Sequence, residues 1–116
     1  MGILEDLVEE KRKYLKNRSF IIPNYLPEKE KDKFFNIFNP FGIRLIAEIK
    51  PASPVKGPLM QNFTVSEMAE IYNDTDEVSA ISVLTSESFS ATPVNLQLVR
   101  RKTKKPILQK DFIISL

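Results

Sequence analysis

Three short apolar runs constrain this chain more than anything else in it: "IRLIAEIK" (43–50), "VSAISVLT" (78–85) and "ILQKDFII" (107–114). Each is of strand length, is rich in branched residues and is bounded by turn residues. None shows the strict polar alternation of a strand with one wet face, so each is expected to be covered on both faces. One helical pattern separates each pair of runs. "VSEMAEIYN" is preceded by Thr64, with Glu67 three residues on, the spacing of a capping box, and is expected to end near Asn73. Thr92 and Pro93 suit the start of the next helix, expected to run to about Thr103. Strands alternating with single helices at these lengths predict an α/β fold, with parallel strands and the helices packed outside them.

Ahead of the first run, residues 3–17 place Ile3, Leu4, Leu7, Val8, Tyr14 and Leu15 near helical period, with charges on the other face. A second short helix is expected after Pro27. Glu28 would lie near its positive end, Phe34, Phe35, Ile37 and Phe38 would form its apolar face, and Asn39, Pro40 and Gly42 would end it. The expected organisation is a helical extension over 1–42 and a β-α-β-α-β unit over 43–116.

Composition narrows the chemistry. With 42% hydrophobic and 28% charged residues the chain reads as globular. Seventeen basic against fifteen acidic residues, a net charge of +2, give no argument for a nucleic-acid or membrane partner. The one charge run, "RRKTKK" (100–105), has no aromatic interleaving and is expected to solvate the end of the second crossover helix and complement its negative pole. No apolar stretch is long enough to span a bilayer, and the first residues mix acids with apolar side chains, unlike a secretion signal, so a cytoplasmic location is expected. The absence of Cys excludes disulfides and thiolate metal sites. The absence of His leaves acid–base work to Lys, Glu, Asp or Tyr.

The charges at the strand ends carry the functional signal. Glu48, Lys50, Lys110 and Asp111 fall at the C-terminal ends of the first and third runs, the edge where α/β sheets and barrels bind ligands. Side chains alternate along a strand, so Glu48 and Lys50 share a face, as do Leu108, Lys110 and Phe112. If both faces point inward, Glu48, Lys50 and Lys110 converge. The ordinary account of such a set is a structural ion pair. Against it stand the expected burial of both strands, the gathering of the charges at one end, and the "SPVKG" loop that follows directly. A carboxylate between two ammonium groups offsets their repulsion and favours their charged form. A protonated lysine in a partly dry pocket can donate a proton to a carbonyl or a leaving hydroxyl, or hold an anionic substrate.

"IAEIKPASPVKG", "VSAISVLTSESF" and "PILQKDFII", in this order and spacing, resemble the first three strands of the indole-3-glycerol-phosphate synthases. The helical stretch ahead of the first strand is similar too. The resemblance implies a (β/α)₈ TIM barrel, of which this chain would hold the N-terminal part, about three strands. It implies a carbon–carbon lyase: a decarboxylating ring closure of 1-(2-carboxyphenylamino)-1-deoxyribulose 5-phosphate to indole-3-glycerol phosphate, carbon dioxide and water, in tryptophan biosynthesis. The substrate would be a small phosphorylated molecule, with no cofactor and no metal. By the same resemblance Lys110 would be the general acid on the substrate's ketone. Lys50 would contact the substrate and could donate a second proton, and Glu48 would orient and tune both. Ser53 would meet the substrate's polar end. Leu84, Phe89 and Phe112 would line the apolar part of the pocket.

The sequence departs from the family at several points. After the second strand the family usually has two aromatics and then Gly-Ser, where this chain has "SFSATP", with Ser90 and Thr92. Pro51 and Val55 stand where Arg and Ser are common. A barrel of this kind takes roughly 250 residues, whereas the chain has 116. The expectation is therefore a fragment, inactive by itself, without the family's catalytic glutamate and phosphate loops. It would associate with itself or with the missing part of the barrel. Two alternatives stay open at this point: another phosphate-binding barrel, such as phosphoribosylanthranilate isomerase, and a non-catalytic, self-associating βα module.

Overall fold

The computed structural model describes residues 2–16, 34, 36–38 and 42–114. Helix α1 spans Ile3–Lys16, with Glu5 and Asp6 in its first turn and Lys13 and Lys16 in its last, so its charges complement its dipole at both ends. The expected second helix falls mostly outside the described residues. Of its apolar face, Phe34 and Phe38 meet edge to face, with ring centroids 5.7 Å apart. The rest of the order is β1 (Leu45–Ile49), a two-residue hairpin of β2 (Ala52–Ser53) and β3 (Gly57–Pro58), α2 (Val65–Asn73), β4 (Val78–Leu84), a 3₁₀ turn (Glu87–Phe89), α3 (Val94–Arg100) and β5 (Ile107–Lys110).

Strands β1, β4 and β5 form one parallel sheet in the order β1-β4-β5, with α2 and α3 as the crossovers. Register fixes which side chains share a face. Glu48 lies opposite Ser82, Ser82 opposite Leu108, and Leu84 opposite Lys110. One face therefore carries Ile46 and Glu48, then Ala80, Ser82 and Leu84, then Leu108 and Lys110. The other carries Ile49, Ile81 and Val83, which pack with Ala69 of α2 and Val99 of α3 as the core. The capping box at α2 is formed: Thr64 Oγ1 accepts from the Glu67 N–H, and Glu67 Oε1 from the Thr64 N–H.

Several boundaries differ from expectation for local reasons. Strand β1 begins at Leu45, with an irregularity between Leu45 and Ile46, and Ile43 is exposed. Helix α3 ends at Arg100 because Thr103 leaves the helix to donate to Asn73 Oδ1 (2.8 Å) and to accept the Lys105 N–H. Strand β5 ends at Lys110, where the Asp111 carboxylate accepts the next N–H, that of Phe112, at 2.7 Å. The expected loop after β1 contains the β2–β3 hairpin, whose turn needs the left-handed backbone of Gly57. The basic run places Arg100 in the last turn of α3 and Arg101 at its C-cap, as expected, and it also acts on a second helix. Lys105 Nζ donates to the carbonyls of Tyr72 (2.8 Å) and Thr75 (2.6 Å) and so closes the C-terminus of α2.

The expectation that all three strands are covered on both faces is corrected. Only the central β4 is. Strands β1 and β5 are the outer strands of the sheet, and Ile46 and Leu108 are partly exposed on the face away from the helices. Among the described residues no helix is long and apolar enough to cross a membrane.

Candidate active site

The shared face of β1, β4 and β5 ends in a cluster of charges. Lys110 Nζ lies 2.9 Å from Glu48 Oε2, and Lys50 Nζ lies 3.8 Å from Glu48 Oε1. Each carboxylate oxygen thus serves one lysine. Ser82, buried in the middle strand, donates its hydroxyl to Glu48 Oε2 at 3.3 Å. The main chain of Glu48 is tied as well: its carbonyl accepts the Tyr72 hydroxyl of α2 at 3.1 Å. Burial first, and the nearby Glu48 charge second, push the Tyr72 hydroxyl above the ordinary tyrosine value, so it stays a donor.

The cluster is open, not buried. The Lys110 side chain is 56% exposed and that of Glu48 29%. Within this chain, burial therefore does not single these charges out. What sets them apart is their convergence on one face at the strand ends.

The aromatic residues gather beside the cluster. Phe89 of the 3₁₀ turn stacks on Phe112, which follows β5, with centroids 6.5 Å apart and planes at 25°. Lys50 Nζ lies 5.7 Å from the centre of the Phe89 ring, within cation–π range. Leu84 is buried at the end of β4. Ser53 is placed differently from the rest: its Oγ is turned onto its own hairpin, where it accepts the N–H groups of Val55 (3.3 Å) and Lys56 (3.5 Å). Glu48, Lys50, Lys110, Phe89 and Phe112 thus lie together, an arrangement of two ammonium groups, a carboxylate and two stacked rings that is chemically able to donate protons beside an apolar wall.

A second set of charges lies at the same strand ends. Asp111 turns away from its neighbour Lys110. Its Oδ1 is 2.9 Å from Lys11 Nζ of α1, and its Oδ2 accepts the Thr85 hydroxyl at 2.7 Å. Lys11 also reaches Glu87 Oε2, at 2.7 Å. Sequence reasoning passed over Lys11, although the signal was present. Position 11 falls on the apolar stripe of α1, one turn after Leu7, where a lysine calls for a partner. Tyr72 and Ser82 carried weaker signals, each lying within an apolar pattern that packing alone explains.

Residues 4–116 match the sequence profile of the indole-3-glycerol phosphate synthases. The chain belongs to that family. An indole-3-glycerol phosphate synthase of Thermoanaerobacter sp. (strain X514) is 35% identical over 118 aligned positions, which cover 97% of this chain and 45% of that protein. One of Chlorobium phaeobacteroides is 49% identical over 73 positions, 62% of this chain and 28% of that protein. One of Legionella pneumophila (strain Lens) is 48% identical over 71 positions, 60% and 27% respectively. The chain spans a little under half the length of the relatives that match nearly all of it. Its three parallel strands and two outer crossover helices are the corresponding part of the TIM barrel, and the Glu48 face is the one that looks into it.

Proposed function

We propose that this chain supplies the opening strands of an indole-3-glycerol phosphate synthase, and that the complete protein closes the indole ring of 1-(2-carboxyphenylamino)-1-deoxyribulose 5-phosphate with loss of carbon dioxide and water. The observation that carries the reading is Lys110 Nζ 2.9 Å from Glu48 Oε2, with Lys50 on the other oxygen, on the inner face at the C-terminal strand ends. In this reading a carbon–carbon bond forms between the ring carbon that bears the carboxylate and the ketone carbon. Lys110 gives its proton to the ketone oxygen as that bond forms. Carbon dioxide then leaves with its bonding pair returned to the ring. The new hydroxyl departs as water with a proton supplied from the Lys50 side, while the adjacent methylene carbon loses a proton to a base contributed by the rest of the barrel, which completes the indole double bond. Glu48 keeps both ammonium groups directed at one place, and the Phe89–Phe112 pair offers an apolar wall to the substrate's aromatic ring. Family membership favours this over the isomerase alternative. The reading needs no cofactor, places the activity in the cytoplasm, and gives nucleic acid and membrane no part.

By itself the 116-residue chain is proposed to be inactive, since acid, base and phosphate grip act as a unit. It is also proposed to self-associate through the free edges of β1 and β5 and through the partly exposed Ile46 and Leu108. The test is an assay for indole-3-glycerol phosphate formation with the chain alone, with the chain mixed with the remaining barrel strands, and with the complete protein. Turnover in the complete protein that vanishes with Lys110→Met supports the reading. A complete protein that does not form indole-3-glycerol phosphate overturns it.

A further inference from the structure

We propose that Lys11 is a positioning residue for the strand-end site. It is the cation that holds the 3₁₀ turn and the segment 110–112 in one arrangement, and so keeps the Phe89–Phe112 wall beside Lys50. The idea deepens the proposed function and rests on it for its consequence in catalysis, although its structural readout does not.

Lys11 belongs to α1, yet it is among the most buried charged residues described, with 6% of its side chain exposed. Two carboxylates, from loops far apart in sequence, each place an oxygen within 2.9 Å of its nitrogen. Glu87 begins the turn that ends in Phe89, and Asp111 sits between Lys110 and Phe112. Without the cation, two negative groups would face each other across a poorly solvated gap, since Asp111 is itself only 6% exposed. The loops that carry them would be pushed apart, and those loops present the two stacked rings. A second contact holds the same turn to α1: Ser88 donates to Glu10 Oε2 at 2.6 Å. The third side of Lys11 faces the Tyr14 ring, 5.0 Å from its centre.

Asp111 has its own fixed place, with Thr85 on Oδ2 and the Phe112 N–H on Oδ1. The partner whose carboxylate is held by fewer contacts is therefore Glu87. Among the described residues its Oε1 has no hydrogen-bond partner, so Lys11 is the polar contact that ties its carboxylate down.

The test uses the complete protein with Lys11→Met, Lys11→Arg and the double variant Lys11→Met/Glu87→Gln. The first readout is the upfield ring-current shift of the Lys50 ε-methylene protons, which report the Phe89 ring by NMR. The second is KM for the carboxyphenylamino substrate. Lys11→Met should remove most of the shift and raise KM about tenfold, and Lys11→Arg should keep both near wild type. The double variant, with one repelling carboxylate neutralised, should recover at least half of the lost shift and of the change in log KM. Lys11→Gln keeps a donor at the site, covers the case in which the Met variant fails to fold, and carries the same expectation. Thr103→Val, at the opposite end of the helices, is the control for general destabilisation and should leave the shift intact. An unchanged shift in folded Lys11→Met, or no recovery in the double variant, overturns the proposal. If the wild-type protein has no ring-closing activity, the function reading fails while the ring-current comparison still decides the role of Lys11.

Discussion

Replacing Thr85 with Val in the complete protein should cost far more stability than replacing Ser82 with Ala, although both remove one buried hydroxyl from a carboxylate. Thr85 is 1% exposed, and its hydroxyl donates to Asp111 Oδ2 at 2.7 Å. Valine has nearly the same shape, so no cavity opens. What is lost is a short hydrogen bond to a charged group, worth about 1.5–3 kcal/mol, and water cannot easily take its place on so buried a carboxylate. The exposed Gln109 amide, which donates to the same hydroxyl at 3.1 Å, can turn to solvent at little cost. The net expectation is about 2–3 kcal/mol, or a melting temperature lower by roughly 4–12 °C for a protein of barrel size. Ser82 donates to Glu48 at the longer distance of 3.3 Å, and that carboxylate keeps Lys110 at 2.9 Å and is partly open to solvent. Its removal should cost less than about 1 kcal/mol. The assay is thermal and urea unfolding of both variants beside wild type. A Thr85→Val cost below about 0.5 kcal/mol, or a Ser82→Ala cost as large as that of Thr85→Val, would refute the division into a closed structural network and an open site.

Lys110→Met should abolish ring closure in the complete protein yet leave substrate affinity within about tenfold, measured by direct binding, because it removes the proton donor and leaves contacts elsewhere to hold the phosphate. The isolated 116-residue chain should scatter light as dimers or larger species at tens of micromolar, through its free strand edges and partly bare inner face, and a monomeric mass with a cooperative melt would contradict this. Burial opposes the charge on Lys11, but hydrogen bonds and attraction from Glu87 and Asp111 outweigh it, so its pKa lies above the ordinary 10.5. A raised folded-state pKa gives stability that is fully present below the unfolded value and fades as pH rises through the folded one. The melting-temperature gap between wild type and Lys11→Met should therefore be flat from neutral pH to about pH 10 and narrow above it.

How much of this was legible in the sequence depended on how local the deciding physics was. The crossover order, the capping box at Thr64 and the convergence of Glu48 with Lys50 and Lys110 follow from period, spacing and strand parity, which short segments carry in full. The exposure of β1 and β5 in this chain did not follow, because it depends on which neighbours flank a strand, and residue type says nothing of that. The ends of α3 and β5 were missed because single side chains decide them: Thr103 bonds to Asn73 thirty residues earlier, and Asp111 takes the Phe112 N–H. Ser53 was assigned by resemblance alone; its Oγ accepts two N–H groups of its own hairpin, a local contact that strand parity does not foretell.

Lys110 and Asp111 are adjacent, oppositely charged and at the end of one strand, yet they belong to different networks. A strand turns successive side chains to opposite sides, so Lys110 joins Glu48 on the inner face and Asp111 joins Lys11 and Thr85 away from it. The two networks differ in the property that matters for chemistry. The Asp111 set is closed: its nitrogen and oxygens meet at 2.7–2.9 Å with the Lys11 and Asp111 side chains almost wholly buried, which suits holding a position. The Glu48 set is looser, with Lys50 at 3.8 Å from the carboxylate and Lys110 more than half exposed in this chain, so either ammonium has donor capacity left for a substrate's oxygen. Placing the rigid set one residue from the looser one fixes the backbone of Lys110 without immobilising its side chain. A proton donor that must meet one atom as it gains charge needs that combination.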